Sequence, residues 1–315
     1  MTLTTPVVLT IFNRPKITKK TFEVIRDQKP KKLFIIADGP RSTHLQDKKL
    51  CSEVRNIVEK IDWPCEVHRN YSEQNLGLKS RTISGIDWVF AQTDRIIYLE
   101  DDCLPHPDFF SFCENLLERY SNDQRVSFIS GGNYQNGILR GNASYYFSKY
   151  PHAWGWATWK RTWNYYDGNL KFWPNWRQSE DFKKKFPIRL ERKMWEKIFD
   201  QSYSGKVNSW GYPLFACMIK NDLLTATPNF NLISNIGFGE FSTHTHDSKD
   251  PFSNKELKPI NNLVHPKYIE ANFDADYYDF KNNFIEKDSI FPRNLLFLPG
   301  RIKGYFSRKF NRLNK

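Results

Sequence analysis

The amino-acid sequence predicts an α/β protein with a mostly parallel, twisted sheet and helices on both of its faces. Short apolar runs alternate with helical stretches over about the first 100 residues. The runs are almost continuously apolar, which is typical of parallel strands that helices cover on both sides. Polar residues follow the runs, and ligands of such sheets bind beyond the carboxyl ends of the strands. The pattern therefore predicts the sheet and also the edge at which a ligand should bind.

Four strands and three helices account for this alternation. The predicted strands are Pro6–Phe12, Lys32–Ala37, Cys65–Arg69 and Arg95–Leu99. The predicted helices are Thr18–Gln28, Asp47–Lys60 and Leu78–Gln92. From about Gly131 the alternation fades, and six of the ten Trp residues lie between Tyr145 and Trp176. We therefore expect a second, differently built half beyond residue 130.

The composition is that of a folded globular protein. Of the 315 residues, 39% are hydrophobic and 26% are charged, which excludes wholesale disorder. The five Cys residues lack the paired spacing of a zinc site or a disulfide framework, so we expect free thiols in a reducing cytoplasm. No apolar run reaches the length of a membrane span, and Met1–Pro6 lacks the pattern of a signal peptide. A cytoplasmic location follows as the expectation.

The net charge of +12 is unevenly distributed. After Asp288 there is no acidic residue, whereas seven basic residues lie there among aromatic and aliphatic ones. Basic residues mixed with aromatic rings suit an anionic membrane surface. Nucleic acid is the competing partner, and a solvated tail without a partner is the third reading. We expect residues 289–315 to bind the inner face of the plasma membrane and not to bind nucleic acid.

Three consecutive acids, Glu100, Asp101 and Asp102, follow the fourth predicted strand. Carboxylates held this close repel one another, so either one pKa rises or a cation binds. Hard oxygen ligands suit Mn²⁺ or Mg²⁺. A solvated acidic turn is the alternative. Because the acids follow a buried strand, at an edge where other polar residues gather, we expect a divalent metal there.

These motifs give the segment Pro6–Pro105 a resemblance to the donor half of glycosyltransferases with the A-type fold, including the family 2-like group. The segments that carry it are Phe12–Pro15, Ala37–Arg41, Asn75–Lys79 with Gly85, Ile86 and Trp88, and Leu99–Asp102, the last resembling the family's Asp-x-Asp metal motif. The second half resembles a less-studied bacterial group of such proteins. Its matching segments are Tyr150–Trp159, Asn231–Gly239 and Thr243–Thr245.

The resemblance implies a nucleoside diphosphate-sugar donor and assigns roles to individual residues. Asp102 would be the direct metal ligand and His244 would complete the metal shell. Glu100 and Asp101 would support the ribose or the metal ligand. The remaining donor-binding residues would contact the nucleoside or neutralise phosphate: Asn13, Arg14, Asp38, Arg69, Asn75 and Lys79.

The acceptor side is less completely specified. An inverting transferase needs a carboxylate that takes the proton of the acceptor hydroxyl. Relatives often carry an Asp where this chain has Gly211, so Glu240 is the substitute candidate. Aromatic rings suit the apolar face of a sugar, which makes Trp154, Trp156 and Trp210 candidate acceptor contacts. Most of the clustered Trp residues are nevertheless expected in the core.

The expected enzyme transfers a sugar to a growing, lipid-linked cell-surface glycan. Residues 1–130 would form the donor half, 131–288 the acceptor half of the same compact domain, and 289–315 a basic amphipathic tail. Two alternatives remain open. One is a catalytically impaired protein of the same fold that binds a nucleotide-sugar or a glycan, which Gly211 favours. The other, a basic nucleic-acid-binding protein, would leave the three acids without a purpose.

Overall fold

A computed structural model of the protein describes residues 3–238 and 252–285. The strands are β1 (Val7–Ile11), β2 (Lys32–Ala37), β3 (Glu66–Tyr71), β4 (Arg95–Glu100), β5 (Cys103–Pro105), β6 (Val126–Ser130), β7 (Tyr145–Ser148), β8 (Trp156–Trp159), β9 (Leu224–Pro228) and β10 (Ile233–Asn235). The helices are α1 (Pro15–Gln28), α2 (Asp47–Val58), α3 (Leu78–Phe90), α4 (Asp108–Arg119), α5 (Lys160–Trp163), α6 (Trp173–Trp176), α7 (Glu180–Lys185), α8 (Arg189–Tyr203), α9 (Gly211–Lys220) and α10 (Phe273–Asp279), and a π-helical turn, Phe280–Ile285, follows α10.

Eight strands form one sheet in the order β3-β2-β1-β4-β8-β6-β9-β7. β3, β2, β1 and β4 are parallel neighbours, and β6 and β9 are parallel to each other. β8 is antiparallel to both β4 and β6, and β7 is antiparallel to β9. All strands of the sheet except β8 and β7 therefore run in one direction. The predicted α/β class with a mostly parallel sheet is confirmed.

Helices cover both faces of the sheet, because successive side chains of a buried strand point to opposite sides. Along β1, Val7 and Leu9 pack with residues of α1, α2 and α4, whereas Val8 packs with residues of α3 and α9. A third apolar cluster joins the short helices α6 and α7 to α8 and α9 around Trp173 and Trp195. Both of these rings are almost completely buried, which accounts for part of the high Trp content.

The predicted elements of the first half differ from the observed ones mainly at their ends. α1 begins at Pro15, three residues before the predicted start, because Pro is well suited to the first turn of a helix. β3 continues to Tyr71, two residues beyond the predicted end at Arg69. Arg69 pairs with Ile35 inside the sheet and does not lie at the strand end.

The antiparallel insertion of β8 brings distant segments to one edge of the sheet. Trp156, the first residue of β8, pairs with Tyr98 near the end of β4 and with Ser130 at the end of β6. The segment before β8 therefore lies beside the segments that follow β4 and β6. The backbone N–H of Gly131 donates to the carbonyl of Gly155 at 2.8 Å, which ties two of them together. The small antiparallel sheet of β5 and β10 lies beside the same edge.

Within the described ranges, no helix is both long and apolar enough to cross a membrane.

Candidate functional site

The three acids lie at the carboxyl end of β4, and Arg14 at the end of β1 reaches two of them. The Arg14 guanidinium forms an ion pair with Asp101 and donates from Nη1 to Oδ2 of Asp102 at 3.0 Å. Thr18 donates to the Asp101 carboxylate at 3.3 Å, and Thr21 donates to the Asp101 carbonyl at 2.7 Å. Asp101 is thus anchored on α1, whereas Asp102 has fewer partners.

Burial and mutual repulsion make this cluster electrostatically costly. Burial, followed by the charge of Asp102, raises the pKa of Glu100 to about 8, although Arg14 acts to lower it. Burial also raises the pKa of Asp101, and Arg14 opposes this. Burial by itself would lower the pKa of Arg14, but the charges of Asp101 and Asp102 outweigh it and raise the pKa. When all three carboxyls are ionised, one guanidinium balances only one of the three charges.

Asn235 and the two residues after β10 cover the acid cluster from the side. The backbone N–H of Ile236 donates to the Asp102 carbonyl at 2.9 Å, and that of Gly237 donates to the Asn235 side chain at 2.9 Å. A Cβ atom on Gly237 would lie 2.3 Å from Oδ2 of Asp102 and 2.9 Å from Nη1 of Arg14. Only a glycine allows the backbone to pass this close to the ion pair.

The chemistry of the acids fits a hard divalent cation bound together with a ligand. The Glu100 carboxylate has no hydrogen bond to any of residues 3–238 or 252–285, and the remaining oxygen of Asp102, Oδ1, meets only the Cys103 thiol at 3.6 Å. No group of three potential metal ligands forms within these ranges. Mg²⁺ in proteins is often held by one or two carboxylates, with substrate phosphates and water completing its shell. Glu100 and Asp102 could supply such a partial set.

A second polar cluster lies at the end of β2, around Asp38. Its Oδ1 accepts from the backbone N–H groups of Gly39 and Leu76, each at 2.9 Å. Its Oδ2 accepts from the Asn75 side chain and the Gly77 N–H, each at 3.0 Å. These four bonds use the acceptor capacity of a carboxylate. Asp38 therefore holds the loop before α3, and its expected contact with a nucleoside stays a prediction that requires one of these bonds to be exchanged.

The other candidate donor residues do not converge on the acids. Asn13 donates to Asp47 at 2.8 Å, and Asp47 is also paired with Arg41. Arg69 lies inside β3 and pairs with Glu59, which directly follows α2, so our placement of it at the end of the strand was wrong. The error arose because β3 was predicted too short.

Lys79 lies on the first turn of α3, at a surface groove of about 530 Å³ that Tyr166 and Lys171 also line. The expected phosphate contact of Lys79 remains a prediction.

Two of the three candidate acceptor tryptophans are core residues. Trp156 is fully buried and stacks on Tyr98 and on Phe128, with ring centroids 4.6 and 5.0 Å apart. Trp210 is 5% exposed and packs against Trp156. Neither ring has an exposed face that a sugar could contact, so the assignment of Trp156 and Trp210 as acceptor contacts was wrong. Trp154 is partly exposed and lies 5.7 Å from Phe238, close to Gly237 and the acids.

Sequence reasoning missed a polar pair at this edge. His152 lies in the segment before β8 and contacts Asp279, the last residue of α10, with Nε2 3.0 Å from Oδ2. The resemblance already included the segment around His152, but Asp279 stood among several acids near the end of the described chain without a distinguishing pattern. Glu240 and His244 lie outside the described residues, as does the tail after Asp288.

No protein-family model matches the chain, and no curated protein matches it. Similar solved structures include mannosyltransferase PcManGT from Pyrobaculum calidifontis in complex with GDP-Man and Mn²⁺, at 10% identity, a TM-score of 0.40, and coverage of 70% of each chain. A UDP-glucose pyrophosphorylase complexed with UDP-glucose is 11% identical, with a TM-score of 0.39 and coverage of 74% of this chain and 93% of the other. TarS 1-349 from S. aureus is 10% identical, with a TM-score of 0.39 and coverage of 73% and 59%. Likenesses of this degree identify neither a family nor an activity.

Proposed function

We propose that the chain is a nucleotide-sugar-dependent glycosyltransferase that binds its donor between the Asp38 loop and the acids Glu100–Asp102. One observation carries the proposal. Arg14 and the three acids meet at the carboxyl edge of a parallel sheet, and the acids carry more negative charge than Arg14 balances. A buried excess of negative charge is costly unless a cationic partner joins it. The divalent cation that a donor diphosphate brings with it is such a partner.

Individual residues would have separate roles in binding the donor and the metal. Asp38 shapes the nucleoside end of the site by holding the loop Asn75–Gly77. Arg14 holds the Asp102 carboxylate in place, and the backbone of Gly237 keeps bulk away from it. Asp102 and Glu100 would hold Mn²⁺ or Mg²⁺. When bound, such a cation stabilises the negative charge that develops on a departing nucleoside diphosphate.

The acceptor half of the proposal rests on Trp154. Its ring is partly exposed near Phe238, and an aromatic face of this kind suits the apolar face of a sugar. We propose a lipid-linked, growing surface glycan as acceptor. The seven basic residues within 289–315 would then keep the enzyme at an anionic membrane surface. Sedimentation with anionic vesicles tests this: truncation after Asp288 should abolish binding, and equal binding by both forms would refute it.

A panel of donors tests the central proposal. Thermal shifts are measured with UDP-, GDP-, CMP- and dTDP-sugars, each with and without Mn²⁺. We expect one nucleotide class to raise the Tm and Mn²⁺ to increase that shift. Release of the nucleotide from the stabilising donor then measures turnover. Binding without turnover would favour the catalytically impaired binding protein, and a panel without any shift would contradict both readings.

A further inference from the structure

We propose that His152, oriented by Asp279, is the general base that takes the proton of the acceptor hydroxyl in the transferase reaction. This inference rests on the proposed function and supplies the group that Gly211 left open. It depends on the position of His152 at the sheet edge, on its hydrogen bonds, and on the charge state of its partner.

The fold places His152 at the edge where the acids lie. Ser130, the last residue of β6, donates its hydroxyl to the His152 carbonyl at 2.9 Å. A row of aromatic rings leads from His152 towards Asp102. The ring of Tyr134 lies 4.1 Å from that of His152 and 6.0 Å from that of Trp154, which in turn contacts Phe238. Phe238 directly follows Gly237, whose backbone touches Asp102. The row connects the imidazole with the acids along the same edge of the sheet.

Asp279 fixes the tautomer of the imidazole. Its Oδ2 lies 3.0 Å from Nε2 of His152, and its Oδ1 accepts from the side chains of Gln135 at 2.9 Å and Asn283 at 2.6 Å. An ionised carboxylate only accepts hydrogen bonds, so Nε2 must carry the proton and the lone pair must be on Nδ1. Nδ1 has no hydrogen-bond partner among the described residues, and His152 is 9% exposed. It is therefore free to accept a proton.

Asp279 would pair with the imidazolium that forms when His152 takes the proton. Asp279 is completely buried, and its side-chain partners are Gln135, Asn283 and His152. In the described ranges no Lys or Arg lies within ion-pair distance of it. A buried anion without a cationic partner gains most when a neighbour becomes charged. Protonation of His152 would provide that partner at the moment of reaction.

The titratable groups around His152 are less suited than His152 to act as the general base. Tyr134 is buried, and its burial together with the nearby Cys103 and Asp279 raises the pKa of its phenol well above the ordinary value. The ammonium of Lys255 lies 4.9 Å from the Tyr134 ring centre. Asp276 also lies near Asp279, but its carboxylate accepts a hydrogen bond from the Ser148 hydroxyl. The neighbouring Lys149 forms an ion pair with Glu191. Among these groups, His152 alone combines a free lone pair with a fixed acidic partner.

In the proposed step, the acceptor oxygen bonds to the anomeric carbon of the donor as its proton passes to Nδ1 of His152. The bond between the anomeric carbon and the phosphate oxygen breaks, and its electron pair leaves with the nucleoside diphosphate. The imidazolium then pairs with Asp279 until it releases the proton to water. Base catalysis of this kind contributes about 10²- to 10⁴-fold to a rate.

His152→Gln is the decisive variant, because a Gln amide can still donate to Asp279 but offers no base at the Nδ1 position. The donor that gives the largest thermal shift is used, with water as acceptor, and release of the nucleoside diphosphate is measured. We expect the rate to fall at least about 100-fold, while the Kd for the donor and the Tm stay near wild type. His265→Gln is the matched control: His265 bonds Tyr145 away from the acids and should retain the wild-type rate.

The pH profile separates a base from a structural residue. Asp279→Asn removes the charge that stabilises the imidazolium, so the low-pH limb of the rate profile should move to lower pH. An unmoved limb, or a His152→Gln variant that turns the donor over at the wild-type rate, would overturn the assignment of the base while leaving the transferase proposal standing. A wild-type chain that turns over none of the donors would refute the transferase proposal, and the base with it.

Discussion

Arg14 and Asp102 form a hydrogen-bonded ion pair at the ligand edge of the sheet, with Nη1 3.0 Å from Oδ2. The same guanidinium pairs with Asp101. Arg14 therefore occupies one face of the acids that a divalent cation would also approach. A cation at Asp102 would use Oδ1, or it would displace Nη1 from Oδ2. The ion pair would therefore compete with the proposed metal for the Asp102 carboxylate.

Replacement of Arg14 by Gln should destabilise the protein by about 3–5 kcal/mol, because removing one partner leaves buried carboxylates uncompensated. Mn²⁺ should then stabilise the variant more than it stabilises the wild type. Denaturant unfolding with and without Mn²⁺ measures both effects. Lys19→Gln, which breaks only an exposed ion pair on the adjacent helix α1, serves as the control. An Arg14→Gln variant as stable as this control would contradict the electrostatic account of the cluster.

Asp102→Asn should abolish the Mn²⁺-dependent part of nucleotide binding and leave the fold intact. The amide is a poorer metal ligand, whereas the backbone carbonyl that accepts from Ile236 is unchanged. Calorimetric titration of the stabilising nucleotide, with and without Mn²⁺, is the measurement. If the variant binds as tightly as the wild type in the presence of metal, Asp102 is not the ligand.

Gly237→Ala should damage the acid site, because the new Cβ would lie 2.3 Å from the Asp102 carboxylate. We expect weaker donor binding and a loss of about 1–3 kcal/mol of stability. Gly211→Ala is the matched control, since the nearest atom to its Cβ, the Ser209 hydroxyl, is 3.8 Å away. That substitution lies on a helix and should be neutral or stabilising. Equal behaviour of the two variants would show that the approach of Gly237 to Asp102 is unimportant.

Asp38→Asn should loosen the loop Asn75–Gly77. The amide replaces one acceptor oxygen by a donor that faces other donors, at a cost of about 2–4 kcal/mol for the affected hydrogen bonds. Limited proteolysis of the loop and the Kd for the free nucleoside report the two consequences, and both should change. A variant that loses only metal dependence would show that Asp38 belongs to the metal site instead.

Asp276 gives the stability a predictable dependence on pH. Burial raises its pKa to about 7, against the opposing hydrogen bond from Ser148. Between about pH 4 and pH 7 the unfolded chain has released this proton while the folded chain retains it. The stability contributed by the protonated carboxyl is therefore lost as the pH rises through this window. Asp276→Asn should flatten that part of the stability profile, and an unchanged slope between pH 4 and pH 7 would contradict the assignment.

The first half of the fold follows from local patterns, whereas the second does not. The strands around Val8, Phe34 and Ile97 are apolar runs that one can recognise without knowing their neighbours. The insertion of β8 between β4 and β6 depends on pairs such as Ile97 with Ala157, which no local pattern encodes. For the same reason the first half of the sheet was predicted closely, and the meeting of its edge with the segment before β8 was not.

Some residues of the candidate site could likewise be predicted from local sequence patterns, and others could not. The acids were recognisable because they directly follow a buried strand, and Arg14 was placed nearby for the same reason. The role of Arg14 as their counter-ion could be recognised only in the three-dimensional structure. The position of a residue along the sequence does not show which partner its long side chain contacts. His152 and Asp279 are 127 residues apart, and neither has a sequence pattern that points to the other. Trp156 and Trp210 were misassigned because aromatic composition does not distinguish a binding face from a packed one.

The position of Asp279 late in the sequence has a consequence for folding during translation. Residues through β9 can complete the eight-stranded sheet while α10 has yet to be synthesised. Until α10 leaves the ribosome, Nε2 of His152 lacks the carboxylate that orients it. At translation rates of about 5–20 residues per second, roughly 50 residues separate the two events by several seconds. If His152 is the base, as proposed above, a nascent chain would form the edge of the sheet before it forms an oriented base, and turnover would require the completed α10.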